Sequence, residues 1–235
     1  MSPCRLIISI SAFFLALSID GRTQENALKN PVKPAEEPRT AHYYARLTDF
    51  AAEKPIKRKE TVMLGNSLTE NGADWGKRLG RRHIRNRGII GDDVSGMMLR
   101  LEEILKGRPK RLILMAGVND LSHQLSVDSI VTLVTQLVDT IHKKSPRTRI
   151  YLQSLLPINE SFKRYKRLEG KTDMIPMINE QLEQLATERK LVFVNLFPHF
   201  TEEGTAILRK ELTTDGLHLT EEGYAIWSKQ LKRQL

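Results

Sequence analysis

Cysteine is almost missing from the 235 residues, with Cys4 the only one. Long apolar runs are missing too. The main stretch, 6–17, is interrupted by Ser9 and Ser11 and falls short of the about 20 residues that a membrane-spanning helix needs. Preceded by Arg5 and followed by a polar stretch from Asp20 to Gln24, it reads as a secretory signal peptide cut near Ser18, with a retained anchor as the alternative. Cys4 lies ahead of the apolar run, whereas a bacterial lipoprotein carries its cysteine just behind it, and it leaves with the signal. The mature chain is then expected to have no disulfide, no thiolate metal site and no cysteine nucleophile. Its chemistry must come from oxygen and nitrogen groups, and its expected location is periplasmic or extracellular.

Nucleic-acid-binding signatures are also lacking. The 37 Lys and Arg exceed the 28 Asp and Glu, giving a formal charge of +9 that favours acidic partners at long range. The basic residues are dispersed, however, in groups such as Lys57-Arg58-Lys59, Arg81-Arg82, Lys110-Arg111 and Lys143-Lys144. These fall at the ends and polar faces of expected elements, so they read as solvated surface, and no nucleic-acid partner is expected. With 40% hydrophobic and 28% charged residues the chain is suited to bury one core, and its length fits one sizeable domain.

What is present is an alternation of elements. After the signal at 1–18, the polar stretch 19–39 contains Pro31, Pro34 and Pro38 and reads as a flexible tether, leaving 40–235 as the folded domain. A helix is expected over 41–53. Short apolar strands are expected at 61–64, 83–86, 111–116, 149–154 and 191–195. Between the third and fourth, Val127, Ile130, Val131, Val134, Leu137, Val138 and Ile141 recur at three- and four-residue spacing, the pattern of one apolar helical face. Strands alternating with helices imply βαβ units, and hence an α/β fold: a three-layer α/β/α sandwich around a parallel sheet of about five strands.

In such sheets reactive groups collect in the loops beyond the strand C-termini. Ser67 follows the first expected strand in Leu64-Gly65-Asn66-Ser67-Leu68, where a serine equally well caps a helix. Gly91 and Asn119 follow the second and third strands, in positions from which oxyanion donors can act. Near the C-terminus Asp215 and His218 stand three residues apart, just before a helix expected from Thr220 or Glu221. A helical turn would bring the two to the same side, so that the carboxylate orients an imidazole able to take a serine proton. Asp-x-x-His pairs also serve as plain capping groups.

Together and in this order, the four segments resemble the SGNH hydrolases, or GDSL esterases and lipases, from Thr61 to Leu235. Within the family the chain resembles members like platelet-activating factor acetylhydrolase and bacterial carbohydrate acetylesterases. The resemblance implies a flavodoxin-like sandwich with no metal or other cofactor. It implies Ser67 as nucleophile, His218 as base and Asp215 as its orienting partner, with an oxyanion hole formed by the Ser67 N–H, Gly91 and Asn119. One position departs from the pattern: Asn66 stands where the family usually has Asp. The absence of G-x-S-x-G argues against an α/β-hydrolase.

These features imply an exported serine esterase acting on a small-molecule or glycan ester, with acetyl groups on carbohydrate as the expected substrate. A lysophospholipase or thioesterase of the same fold is the alternative. A silent carbohydrate-binding surface protein is another, but it would be expected to have lost Ser67, Asp215 or His218, and all three are present. The stretch 157–175 mixes Phe162 and Tyr165 with Lys163, Arg164, Lys166 and Arg167. It reads either as a solvated loop or as a substrate-facing lid suited to a sugar bearing a carboxylate. Trp75 is expected in the core, His199 as structural or exposed, and Glu70 and Asn71 as capping or substrate-touching groups.

Overall fold

The computed structural model describes residues 39–235. The signal peptide, Cys4 and nearly all of the tether lie outside the described residues. Arg39, the last residue assigned to the tether, is ion-paired to Asp93 at 2.7 Å and belongs with the domain.

Five strands, β1 (Thr61–Gly65), β2 (Ile84–Gly88), β3 (Arg111–Leu114), β4 (Arg149–Gln153) and β5 (Val192–Val194), form one sheet in the order β2-β1-β3-β4-β5. Every pairing is parallel. Side chains of β1 are buried at all five positions, and Leu112–Leu114 of β3 are buried as well. Burial on both faces of a strand requires cover on both faces of the sheet, so these strands read as continuous apolar runs and not as alternating ones. Nine α-helices supply that cover among the described residues: α1 (Ala41–Ala52), α2 (Ser67–Asn71), α3 (Trp75–Leu79), α4 (Val94–Leu99), α5 (Leu101–Lys106), α6 (Val118–Ser122), α7 (Val127–Lys144), α8 (Met174–Glu188) and α9 (Glu221–Lys232). One set packs around α7, which touches α4, α5, α6 and α8, and another pairs α9 with α3.

The expected fold is the observed one; the third, fourth and fifth strands end sooner than expected, at Leu114, Gln153 and Val194, and further local expectations need correction. The second strand runs Ile84–Gly88, not 83–86. It lies at the sheet edge, where Arg85 and Arg87 extend it without an apolar signal: Arg85 pairs with Glu53 and Glu60, and the buried Arg87 pairs with Glu53 and Glu103 while lying 4.3 Å over the Phe50 ring. In α7 the buried stripe includes Leu133, while Val131 is only half-buried. The segment after Ser67 is two short helices, broken where Ala73 takes a positive φ, and Asp74 caps the second by accepting from Lys77 N–H. Trp75 therefore starts a helix. It is buried against Trp227 and Tyr224 and donates from Nε1 to the Thr69 carbonyl, in the core as expected.

Candidate active site

Parallel register sets the loops in line. Gly65 at the end of β1 pairs with Gly88 of β2, and Leu64 pairs with Leu114 of β3. The residues that follow these ends, Ser67, Gly91 and Asn119, therefore emerge along one edge of the sheet.

Asn66 caps α2: its Oδ1 accepts the Leu68 N–H at 3.0 Å, so the amide keeps the turn that a carboxylate would hold. Ser67 is then the first residue of the helix, buried, and its own N–H has no acceptor among the described residues. The Ser67 hydroxyl lies 2.9 Å from His218 Nε2. His218 Nδ1 lies 2.8 Å from Asp215 Oδ2, completing a serine–histidine–aspartate series.

The Asp215–His218 pairing does not come from a helical turn, as the spacing alone had implied. Helix α9 begins only at Glu221, and residues 214–218 form a loop. The aspartate builds the turn itself, its Oδ1 accepting the N–H groups of Leu217 (3.0 Å) and His218 (2.7 Å) while Gly216 takes φ +90°. Thr213 Oγ1 holds the other side by accepting the Gly216 N–H at 2.9 Å. Burial by itself would raise the Asp215 carboxyl. Hydrogen bonds from Tyr165, His218 and Leu217 outweigh it and hold the group at about 2, so Asp215 is an anion at any pH near neutrality.

Tyr165 is a site residue that the sequence did not single out for this role. Its hydroxyl donates to Asp215 Oδ2 at 2.6 Å and lies 2.9 Å from His218 Nδ1, and its ring meets the imidazole edge-on. Burial and the neighbouring Asp215 charge raise its phenol well above the ordinary value, so it stays a donor. The signal was present only as an aromatic among cations in the 157–175 stretch, with nothing local to pair it with a residue 50 positions away.

Gly91 takes φ +78°, a left-handed conformation that favours glycine, and its N–H also lacks an acceptor among the described residues. Glu70 fixes this loop: its carboxylate accepts the Ile90 N–H at 2.6 Å and is itself held by His42 (3.0 Å) and Arg46 (3.3 Å). Glu70 thus positions the loop next to Gly91, neither capping α2 nor lying free for substrate. Asn119 donates from Nδ2 to the Asp92 carbonyl at 2.7 Å, which ties the third loop to the second and leaves the other amide hydrogen for a ligand. Behind them Arg100 binds Asp92 Oδ2 at 2.8 Å and the Gly65 carbonyl at 3.1 Å, a buried clamp joining the second loop to the end of β1. Burial pushes Asp92 up to about 6 against the pull of Arg100, and burial reinforced by Asp93 pushes Asp120 up to about 7.

A hollow of about 90 Å3 opens beside Gly91, walled by Arg39, Asp93, His123 and Tyr43. His199, left open between a structural and an exposed role, is exposed.

A hydroxyl bonded to an imidazole, an imidazole bonded to a carboxylate, and two free N–H groups beside them form the equipment of a serine hydrolase, on the parallel α/β/α sandwich of the SGNH kind. Residues 63–226 match the model of the GDSL-like lipase/acylhydrolase family. The chain belongs to that family and is an ester-hydrolysing serine hydrolase. No curated protein matches the chain. Among solved structures, a GDSL-like lipase from Bacteroides thetaiotaomicron is similar at 24% identity over 83% of this chain and 97% of its own, with a TM-score of 0.71. A Streptococcus pneumonia protein provisionally described as a platelet activating factor is 26% identical over 91% of this chain and 96% of its own, also with a TM-score of 0.71. An acetyl xylan esterase is 19% identical over 75% of this chain and 99% of its own, with a TM-score of 0.61, a likeness of fold.

Proposed function

We propose that this hydrolase is exported and removes short acyl groups, acetyl above all, from carbohydrate esters, with Ser67, His218 and Asp215 as its catalytic triad. The observation that carries the triad is the unbroken series Ser67 Oγ to His218 Nε2 to Asp215 Oδ2, at 2.9 and 2.8 Å. In the first step Ser67 Oγ attacks the ester carbonyl carbon while its proton passes to His218 Nε2, and the imidazolium is held by the Asp215 anion. Negative charge forming on the carbonyl oxygen is met by the Ser67 and Gly91 N–H groups and the Asn119 amide. His218 returns its proton to the departing alcohol oxygen. Water then enters, gives a proton to the same nitrogen, attacks the acyl-enzyme and releases the acid. His218 must be neutral at the start of each half-reaction, so activity falls in acid.

The hollow beside Gly91 is lined by Arg39, Asp93 and His123, a polar surface that suits a hydroxylated alcohol better than a long alkyl chain. Likeness to an acetyl xylan esterase fold supports the carbohydrate reading. Export rests on the signal-like pattern of 1–18, and N-terminal sequencing of the mature protein checks it. No helix among the described residues is long and apolar enough to cross a membrane.

An acyl-length series on p-nitrophenyl esters tests the substrate class. The expected result is highest kcat/KM at C2 and a decline toward C12; a rise with chain length means a lysophospholipase or thioesterase instead. Acetate release from a panel of acetylated glycans then tests the alcohol side.

A further inference from the structure

We propose that residues 160–171 form a fixed cationic wall of the substrate site, and that the alcohol part of the ester carries negative charge, as a saccharide with a ring carboxylate does. The inference rests on the carbohydrate-esterase reading and narrows it.

Three sets of contacts place the wall. Tyr165 bonds to Asp215 and lies against the His218 ring. On the far side, Gln124 Nε2 donates to the Arg167 carbonyl at 2.9 Å, tying the wall to the loop that follows Asn119 and α6. Within the wall, the Glu160 carboxylate accepts the N–H groups of Gly170, Lys171 and Thr172 and the Thr172 hydroxyl, which closes the segment on itself. These bonds hold Glu160 below the ordinary carboxylate range, even though burial opposes it. The segment is a platform pinned at both ends. Such pinning favours the substrate-facing reading of the stretch over the solvated loop.

Lys163, Arg164, Lys166 and Arg167 project from this platform, all exposed. None of the four forms an ion pair among the described residues, whereas Arg39, Arg46, Arg78, Arg85, Arg87, Arg100 and Arg189 each do. Lys163 and Arg164 line a small hollow of about 10 Å3, water-sized, together with Tyr165, Asp215 and Gly216. The carboxylates facing them are few: Glu169 in the same hollow, Asp215, which is committed to His218 and Tyr165, and Glu160, which is committed to backbone N–H groups. Four solvated cations without partners, on the segment that lays Tyr165 against His218, concentrate anions at that edge and speed their arrival. Guanidinium groups match carboxylates with two parallel donors. Phe162, 38% exposed and packed beside Gly216, offers an aromatic face for a sugar ring. A membrane surface would call for a row of apolar groups to insert beside the cations, and Phe162 is the one large exposed apolar side chain of the segment.

The test uses the mature protein, titrated by calorimetry with an oligogalacturonate and with a neutral xylo-oligosaccharide of equal length, alongside acetate release from acetylated forms of both. The acidic oligomer is expected to bind about tenfold or more tightly than the neutral one at low salt, with the preference shrinking as salt rises. Replacing the four cations together (Lys163→Ser, Arg164→Ser, Lys166→Ser, Arg167→Ser) should bring the ratio close to one; if that variant does not fold, the pair Lys163→Gln and Arg164→Gln should lower it in the same direction. Equal binding of the two oligomers, or a ratio unmoved in folded variants, overturns the proposal. So does tighter binding to phosphatidylserine vesicles than to the oligogalacturonate, which would assign the wall to lipid. Acetate release from the neutral glycan without any acidic preference overturns the wall and leaves the esterase reading intact. Acidic binding without acetate release keeps the wall and overturns the acetylesterase reading.

Discussion

Asp215 Oδ2 receives two donors, the Tyr165 hydroxyl and His218 Nδ1–H, within 2.6 and 2.8 Å. The two compete for one oxygen, so each weakens what the other gains. With Tyr165→Phe the carboxylate is left to His218 alone. The loss of one of the two donors that fix Asp215 is expected to lower kcat on p-nitrophenyl acetate a few-fold with KM little changed. An unchanged kcat would mean that Tyr165 serves packing alone. The sequence could name Asp215 and His218 because they lie three apart in one loop. Tyr165 meets them only through the tertiary path of the 160–171 wall, which no local pattern encodes. The same limit applies to Glu70: its position after Ser67 was visible, but its carboxylate is consumed by the Ile90 N–H across the sheet edge.

At the scale of elements, the close approach of β2 to α2 is what seats Ser67. A Cβ on Gly88 would run into the backbone of Thr69 and Glu70, atoms that cannot swing aside. Asn86 locks the same contact, its Nδ2 donating to the carbonyls of Thr69, Glu70 and Ala73. Gly88→Ala is therefore expected to lower stability by about 1–3 kcal/mol and to cost activity beyond that, because it displaces α2, the helix that carries Ser67. Denaturant unfolding and p-nitrophenyl acetate turnover, measured on the folded fraction, check the two parts. Unchanged turnover would show that α2 is not held by this contact. Strand positions were legible because buried parallel strands are continuous apolar runs. The end of β2 was not, because its arginines are buried through ion pairs and a ring contact with α1, which hydropathy does not register. The break between α2 and α3 was open to reading in Asn71-Gly72 and the capping Asp74, but the positive φ of Ala73 was not.

For the whole molecule, two sets of carboxylates pull the pH dependence of stability in opposite directions. Asp215 is depressed to about 2 from an ordinary 3.8, so its contribution is present above pH 3.8 and is lost as pH falls toward 2. Asp120 is raised to about 7 and Asp92 to about 6. A raised carboxyl binds its proton better in the folded state, so its penalty is absent below pH 3.8, grows as pH rises to the folded value and is constant above it. Asp120→Asn, which can still accept the Val94 N–H, removes that penalty. Its melting temperature relative to the wild type is expected to rise between pH 4 and pH 7 and then level off. A difference that does not vary with pH would contradict the raised carboxyl. The fold itself was open to sequence reasoning because alternation, charge dispersion and strand-end polar residues agree on one α/β/α architecture. The buried Asp92–Arg100 clamp escaped it, since a charged pair in a sequence looks the same whether it ends in water or in the core.

The account centres on Ser67 as the nucleophile of ester hydrolysis, and Ser67→Ala assayed on p-nitrophenyl acetate reaches that claim with a single substitution. The helix is capped by Asn66, not by Ser67, so the variant should fold and melt close to the wild type. The expected result is a loss of kcat of about a thousandfold or more, with folding intact. A folded Ser67→Ala protein that hydrolyses the ester at the wild-type rate would contradict the account.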